Sequence, residues 1–523
     1  MKTKAKRIRK WILAGLCFAL AASVLAACTP SGDPNDPNNR RTLRIGVIYG
    51  SKSDESWVRS QYTDMFEYSH PGIDIEIVSA IDYQQQQFES VDENGRYREP
   101  DVLEKIKEIM TGNNPVDVMI LDITYLGPLV NENMLMQLDP LLKEDKLDTG
   151  VYVESVMDAI RSKGNGNLYA LAPTFNPSAL YYNKKLFREL GVNPPTDNMS
   201  WEEVFALARQ IARGSGEDAI FGLTFNSWGG AVESYWEIQQ FASPLQLKLY
   251  DDQAERMTVN TPQWKKLWQT IYDLREAKVI PSQEDMQYFY EPWREGEPYR
   301  YNPFSGRPFF QGRVAMTIGD YSMINDLQML TENAEKIGME PIEWDVVSTP
   351  YHEAVPGVGM NVSINSLFAI NAKAQNPEDA WEYVKFVNGE DWAKFKSRST
   401  YEMPTRVAYI KPREGMSYNV EAFIKMQPAP WPGSSLNEQR LLREKPNLYM
   451  VNELVSVAYN SVFVQKQRTV DEALAWLEEK GNDLLQRIKA NPDGPIEGFW
   501  DEIYGGGGGG GGMPIEVRPM LVE

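Results

Sequence analysis

Cysteine is nearly absent: Cys17 and Cys28 are the only two among 523 residues. Everything after Cys28 is therefore without disulfide or thiol chemistry, and its stability must come from a packed core. Histidine is equally scarce. His70 stands in a His-Pro-Gly turn and His352 in a polar loop; both read as surface residues, and neither has neighbours suited to a zinc site or a catalytic triad. No phosphate-binding G-x-x-x-x-G-K-[ST] loop, dinucleotide fingerprint, H-E-x-x-H or EF-hand loop occurs. The acid pair Asp251-Asp252 lacks the spaced ligands of a calcium loop and reads as a solvated turn. No catalytic residue, metal site or cofactor is thus assigned. Paired carboxylates of a glycosidase stay open, although 73 acidic residues produce such pairs by chance. Basic excess is missing too: 53 cations against 73 acids give a net charge of −20. That balance excludes a nucleic-acid footprint, favours solubility and repels an anionic membrane. Only one long apolar run exists, Trp11 to Val24, and it is shorter than the ~20 residues of a membrane span.

What precedes and follows that run says where the chain goes. Lys2, Lys4, Lys6, Arg7, Arg9 and Lys10 come before it without a single acid. A positive start, a short apolar centre and small residues at its end make a secretory leader. Leu25-Ala26-Ala27-Cys28 resembles the lipobox of bacterial lipoproteins; a plain leader with a chance cysteine is the alternative. The resemblance implies a signal peptide over residues 1–27, cleavage before Cys28, a diacylglyceryl thioether on its sulfur, and N-acylation in some bacteria. More than one acyl chain anchors stably, so the expectation is a body held by lipid on Cys28 at the extracytoplasmic face of the cell membrane. Without the six leader cations, 47 basic residues face 73 acidic ones, a net charge of −26.

Residues 28–41, rich in Pro, Asn, Asp and Ser, form a flexible tether. Order begins with a strand at Leu43 to Tyr49, a helix at Ser56 to Tyr68, an alternating strand at Ile73 to Val78, an amphipathic helix at Asp101 to Thr111 and an apolar strand at Val116 to Leu121. This is α/β grammar with a largely parallel sheet. Further strands are expected at Leu168 to Pro173, Ala179 to Tyr182, Val314 to Ile318 and Leu367 to Ile370. Helices are expected at Asn183 to Leu190, Trp201 to Arg213, Pro262 to Ala277, Pro377 to Asn388, Asn447 to Phe463 and Val470 to Asn491. Ser200 with Glu203, and Thr469 with Glu472, have capping-box spacing. Glu291 to Phe310 reads as a loop and Gln427 to Pro446 as irregular and Pro-rich. Gly505 to Gly512 is an eight-glycine coil before eleven more residues, either a natural appendage or an expression scar.

From about Thr42 to about Asn491 the chain resembles the extracellular solute-binding proteins of ABC importers, specifically the carbohydrate-type, maltose-binding-like group (family 1). The marks are distributed: His70-Pro71-Gly72-Ile73, Asn114-Pro115-Val116-Asp117-Val118, Leu168 to Pro173, Ala179 to Phe187, Pro194-Pro195 with Trp201-Glu202-Glu203, Gly312 to Met316, Ala380 to Phe386 and Thr469 to Leu474. The resemblance implies a two-lobed periplasmic-binding-protein-like α/β fold, discontinuous in sequence, with a ligand cleft between lobes. Hinges are expected near Ala172 to Pro177 and near Thr317 to Asp320, with a third crossing further on. The implied division is residues 42–174 in lobe 1, 175–317 in lobe 2, 318–390 back in lobe 1, 391–504 a helical part mainly of lobe 2, and 505–523 a linker and tail. It also implies a monomer that closes on its ligand and then docks on ABC permease subunits. It departs from the maltose-type pattern in one place: the helix Asn447 to Phe463 lacks a tryptophan and offers Tyr449 and Glu453 instead.

Ligands in open α/β sheets sit beyond the carboxyl ends of strands. That rule points to Tyr49 to Trp57 after the first strand, with Asp54 and Trp57 as the candidates, to Asp122 to Tyr125 after the third, with Asp122 and Tyr125 as the candidates, and to Asp320 and Tyr321 after Ile318. Trp57 is equally suited to packing beneath its helix, and Asp122 to capping one. Trp228 in a turn-rich loop and Tyr235 at a helix start are candidate platforms, and core packing would suit either Tyr235 or Trp236. Gly359 and Asn361 lie where backbone could approach a ligand. Arg406 is either a cleft cation or half of an ion pair. Trp201 and Trp381 are assigned to core. Carboxylates accept paired hydroxyl bonds and aromatic faces stack on sugar rings, so the expected ligand is an oligosaccharide or sugar derivative. A peptide or other polar solute, and a surface glycan-active enzyme or adhesin, are the alternatives.

Overall fold

The computed structural model describes residues 40–91, 95, 97–227, 234–290, 301–360, 362–429 and 435–504. The leader, Cys28, most of the tether, Trp228, Asn361, the glycine run and the tail lie outside the described residues.

β1 (Arg41–Gly50) alternates as a strand must: Leu43 and Ile45 are fully buried, Val47 nearly so, and Tyr49 at the end turns outward. It pairs in parallel with β2 (Ile73–Asp82) and β3 (Val118–Leu121). After β3 come β4 (Ala170–Leu171), β5 (Thr174–Phe175), β6 (Ser178–Asn183), β7 (Phe221–Thr224), β8 (Val314–Asp320), β9 (Trp344–Val347), β10 (Leu367–Ile370) and β11 (Met403–Pro404). One sheet has the order β2-β1-β3-β10-β4 and the other β7-β8-β6-β9. Among the strand pairs of the described residues, β1-β2, β1-β3 and β7-β8 are parallel and the rest antiparallel. The largely parallel sheet expected from the first strands is corrected to two mixed sheets, because β10 and β6 enter antiparallel to their neighbours.

The helices that matter below are α1 (Glu55–Tyr62), α2 (Asp64–Ser69), α3 (Tyr83–Glu89), α4 (Val102–Thr111), α5 (Ile123–Asn131), α6 (Trp201–Ile211), α7 (Tyr235–Ala242), α8 (Pro262–Glu276), α9 (Met323–Ile337), α10 (Pro377–Val387), α11 (Leu436–Glu444), α12 (Met450–Phe463) and α13 (Val470–Ala490). The single helix expected over Ser56 to Tyr68 is broken at Thr63, whose backbone leaves helical geometry and whose hydroxyl donates to Glu67 at 2.8 Å. Both capping boxes form, at Ser200 and Thr469. Trp201 and Trp381 are buried as expected. His352 is not the surface residue its loop suggested. It is buried between Trp201 and Phe241, with Nε2 2.6 Å from the Phe241 carbonyl.

Chain passages between the sheets lie side by side. β5 pairs with β11, and Asn176 and Ser363 exchange backbone bonds of 2.9 and 3.0 Å. The passage expected at Thr317 to Asp320 is displaced. β8 does end there, but the chain stays with the second sheet: α9 follows, and β9 pairs with β6 through Leu180↔Val347. It returns only at Ser363, ahead of β10. The range 318–390 is therefore shared between the sheets, since a strand end does not encode which way the chain continues. The stretch 391–504 is shared as well: Trp392 meets Phe386 of α10, whereas Phe423 meets Tyr181 of β6 and Leu441 to Ile488 pack against the second sheet.

Candidate functional site

The carboxyl ends of β1, β2 and β3 converge on one edge of the first sheet. Gly50 registers with Asp82, and Ser51 and Ser53 follow. The Ser51 hydroxyl donates to Asp54, and Gln84 Nε2 donates to Ser53 at 2.8 Å. Asp122 caps α5, its Oδ1 accepting from the Thr124 N–H at 2.7 Å. Tyr125, one turn on, is buried, beside Asp122 and Tyr49. Burial drives its hydroxyl well above the ordinary tyrosine range, with Tyr49 and Asp122 adding to the effect. The Tyr49 hydroxyl is raised by burial, then by Glu99 and Tyr97. Both stay protonated at neutral pH and so can donate as well as accept.

The opposite wall is α11. The irregular run expected from Gln427 to Pro446 is corrected here: Pro432-Gly433 and Pro446 bracket a segment that is free of Pro and Gly and rich in good helix formers. α11 buries Leu441, which belongs to the core of the second sheet. From that seat it points Gln439 at the Tyr125 hydroxyl and Arg443 at Asp101, the N-cap of α4. Glu438 lies beside Tyr235 and Tyr250, and burial raises its carboxyl above the usual range. Two tyrosines and an aspartate from one lobe thus face an amide and a guanidinium from the other.

Of the expected residues, Asp122 and Tyr125 meet at this edge, and Asp54 joins through the Ser51–Ser53–Gln84 chain. Trp57 does not pack beneath α1; it is 60% exposed, while neighbouring Val58 is buried. Tyr235 meets Trp268 of α8 with ring centroids 6.2 Å apart, and its hydroxyl lies near Glu438. Asp320 is exposed and lies just ahead of α9, accepting from Ser322 Oγ at 2.6 Å and from the Met323 N–H at 3.2 Å. Tyr321 is 4% exposed; Phe423 meets it edge-on and Arg413 covers its face at 4.5 Å. The close approach at Gly359 is to protein: an added Cβ would stand 2.3 Å from Thr349 Oγ1 and 2.6 Å from Met426 Cβ. Arg406 donates to the Asn388 carbonyl at 3.1 Å and lies over Tyr152, a structural role. Trp228 and Asn361 fall outside the described residues. Tyr49 opens the stretch marked by the strand-end rule, whereas Tyr97, Glu438, Gln439 and Arg443 carry no such mark in the sequence. Alternation alone puts Tyr49 on the inward face with Leu43, Ile45 and Val47, and its turn outward follows from the end of β1; α11 was legible as the gap between prolines.

Acids dominate this edge: Asp54, Asp82, Glu99, Asp101 and Asp122, with Glu438 opposite. Of the cations near this edge, Arg443 and Arg98 are ion-paired, to Asp101 and Asp493, and Lys52, between Ser51 and Ser53, is exposed. Two cavities lie elsewhere. One of about 200 Å³ is lined by Arg213, Phe221, Lys278 and Tyr288, and one of about 340 Å³ by Leu327, Trp344 and Met416. Among the described residues no group of three or more His, Cys, Asp or Glu could hold a metal ion, and no helix is long and apolar enough to cross a membrane.

Comparison with known proteins agrees with this architecture. The model of the bacterial extracellular solute-binding protein family matches residues 50–394. A putative binding protein of Brucella abortus is 23% identical over 393 residues, covering 74% of this chain and 80% of its own length. The sn-glycerol-3-phosphate-binding periplasmic protein of Escherichia coli is 22% identical over 406 residues, covering 73% and 82%. Among solved structures, a sugar transporter protein of Rhizobium etli in an open conformation superposes with a TM-score of 0.54 at 18% identity, covering 85% of this chain and 99% of that one. The two-lobed fold is shared with it, and the chain belongs to the bacterial extracellular solute-binding protein family.

Proposed function

We propose that this protein captures a neutral oligosaccharide or sugar derivative between its lobes and delivers it to the permease of an ABC importer, without chemical change. The observation that supports this best is the juxtaposition of Tyr49, Asp122 and Tyr125 with Gln439 and Arg443. Tyrosine rings and hydroxyls, a carboxylate and an amide are the groups that hold vicinal hydroxyls and sugar ring faces. The glycerol-phosphate-binding relative suggests an anionic ligand instead, but the acid-rich edge and the paired states of Arg98 and Arg443 oppose a phosphate ester. In this reading Cys28 bears the lipid, Asp54 and Asp122 contact the ligand, Tyr235 and the exposed Asp320 are further candidate contacts, and the protein acts as a monomer at the extracytoplasmic face.

Thermal unfolding of the purified protein against neutral mono- and oligosaccharides, glycerol 3-phosphate and short peptides tests the ligand class. A ligand bound only by the native state at a hundredfold over its Kd stabilises by about 2.7 kcal/mol, which a melting curve resolves. A saturating rise in Tm with an intact neutral sugar supports the proposal. A response to glycerol 3-phosphate or peptides alone sinks it, and consumption of the sugar assigns an enzyme. Labelled palmitate retained by the protein, and lost in Cys28→Ala, would establish the anchor.

A further inference from the structure

Between β2 and α4 the chain makes an excursion whose described residues contribute nothing to either core. α3 has no buried residue along Tyr83–Glu89. Phe88 is 82% exposed and Tyr83 36%. Four consecutive glutamines, Gln84 to Gln87, separate those two rings. The excursion is nevertheless held in place. Asp82 caps α3, accepting from the Gln84 N–H at 2.9 Å. Val91 and Tyr97 form an antiparallel bridge, and the Arg98 N–H donates to the Ser90 carbonyl at 2.6 Å. Arg98 then ion-pairs with Asp493, just past α13. A segment whose described residues bury nothing and that is still fixed at both ends has its side chains arranged for something outside the core.

Its location says for what. Gln86 donates to the Tyr97 hydroxyl. Tyr97 lies beside Tyr49, and Tyr49 beside Tyr125. Gln84 reaches back to Ser53. Tyr49 and Tyr97 are each about half exposed, at 53% and 48%. The tyrosines therefore run in a row from the buried candidate site to open surface, with amide groups along the row. Primary amides present a donor and an acceptor at the spacing of neighbouring hydroxyls, and an exposed aromatic ring covers the C–H face of a sugar at little entropic cost.

We infer that Tyr49, Tyr97, Gln84 and Gln86, with Tyr83 and Phe88 beyond them, form an outer subsite that continues the cleft and binds further rings of a neutral oligosaccharide chain. The inference rests on the proposed carbohydrate ligand and narrows it: the ligand is longer than the interlobe cleft alone holds, and its outer rings lie against the first lobe.

The test is isothermal titration of the full-length protein with homologous series of α-1,4-gluco-, β-1,4-gluco-, β-1,4-xylo- and β-1,4-manno-oligosaccharides, each from one ring to seven. Tyr97→Ala and Gln86→Ala are compared with the parent. Both positions are at the surface, and retained Tm establishes folding. For the parent, affinity should rise with ring number. In either variant that rise should shrink, with a loss of roughly tenfold for the longest chain, while the shortest ligand that binds keeps its affinity. Parent affinity independent of ring number, or variants that follow the parent, overturns the subsite and leaves the carbohydrate reading standing. Unchanged binding with loss of ligand-stimulated permease ATPase would make this a protein-docking face, again overturning the subsite. If the parent binds no member of any series, the carbohydrate reading falls and the subsite with it.

Discussion

Arg443 of α11 forms an ion pair with Asp101, the residue that caps α4, and so joins the helix packed on the second sheet to the edge of the first. Asp101 serves two partners, since its Oδ1 also accepts the Glu104 N–H at 3.2 Å. Both side chains keep some solvent contact, so the pair is worth ~0.5 kcal/mol after screening, whereas a cap is worth about 1 kcal/mol. Arg443→Ala should therefore change Tm little, and Asp101→Ala should lower it clearly. Small-angle scattering without ligand should show a larger radius of gyration in both variants if the pair holds the lobes together. An unchanged radius in Arg443→Ala would show that other contacts hold them.

A second ion pair behaves differently because it is buried. Arg275 of α8 and Glu237 of α7 are 5% and 2% exposed, and Arg275 also donates to the Tyr459 hydroxyl of α12 at 2.7 Å. Removing one partner strands the other charge away from water. Glu237→Ala should cost about 3–5 kcal/mol, measured by urea unfolding. The double variant Arg275→Met with Glu237→Met should recover much of that loss. If it is no more stable than Glu237→Ala, the stranded-charge explanation fails.

Burial lowers the pKa of His352 below its ordinary value of 6.5; the Phe241 carbonyl and Glu202 oppose that shift, and Lys266 adds to it. The unfolded chain therefore takes up this proton more readily than the folded one. Stability from neutral His352 is present above about pH 6.5 and drains away as pH falls through that value and on toward the folded pKa. Tm should fall between pH 7.5 and pH 5, and less steeply in His352→Gln. Parallel curves for the two proteins would assign the acid sensitivity to other groups.

Strong periodicity made much of this fold legible in advance. β1, β2, α4 and α13 follow from alternation or a 3.6-residue repeat, and the capping boxes marked the starts of α6 and α13. What escaped depended on distant partners. Tyr321 stands where a cleft aromatic was expected, but Arg413, 92 residues away, lies over its ring. His352 has polar neighbours in sequence and aromatic ones in space. Gly359 was read as room for a ligand, and Met426 fills that room. α11 was obscured because the prolines around it dominate the composition of its window.

Asp122 is both a helix cap and a candidate ligand contact, and one substitution separates the two roles. Asn caps a helix about as well as Asp, so Asp122→Asn should preserve the bond to the Thr124 N–H and leave Tm nearly unchanged. It removes the charge that attracts hydroxyl donors, and a hydrogen bond to a charged group is worth about 1.5–3 kcal/mol. Asp122→Ala loses both, with about 1 kcal/mol of stability gone along with the cap. Titration with the best neutral sugar found by thermal shift should then show weaker binding in both variants, by roughly tenfold or more. Parent-like affinity in Asp122→Asn, alongside an Asp122→Ala that only melts earlier, would reduce this residue to its structural role and move the ligand towards Tyr49, Tyr125 and Gln439.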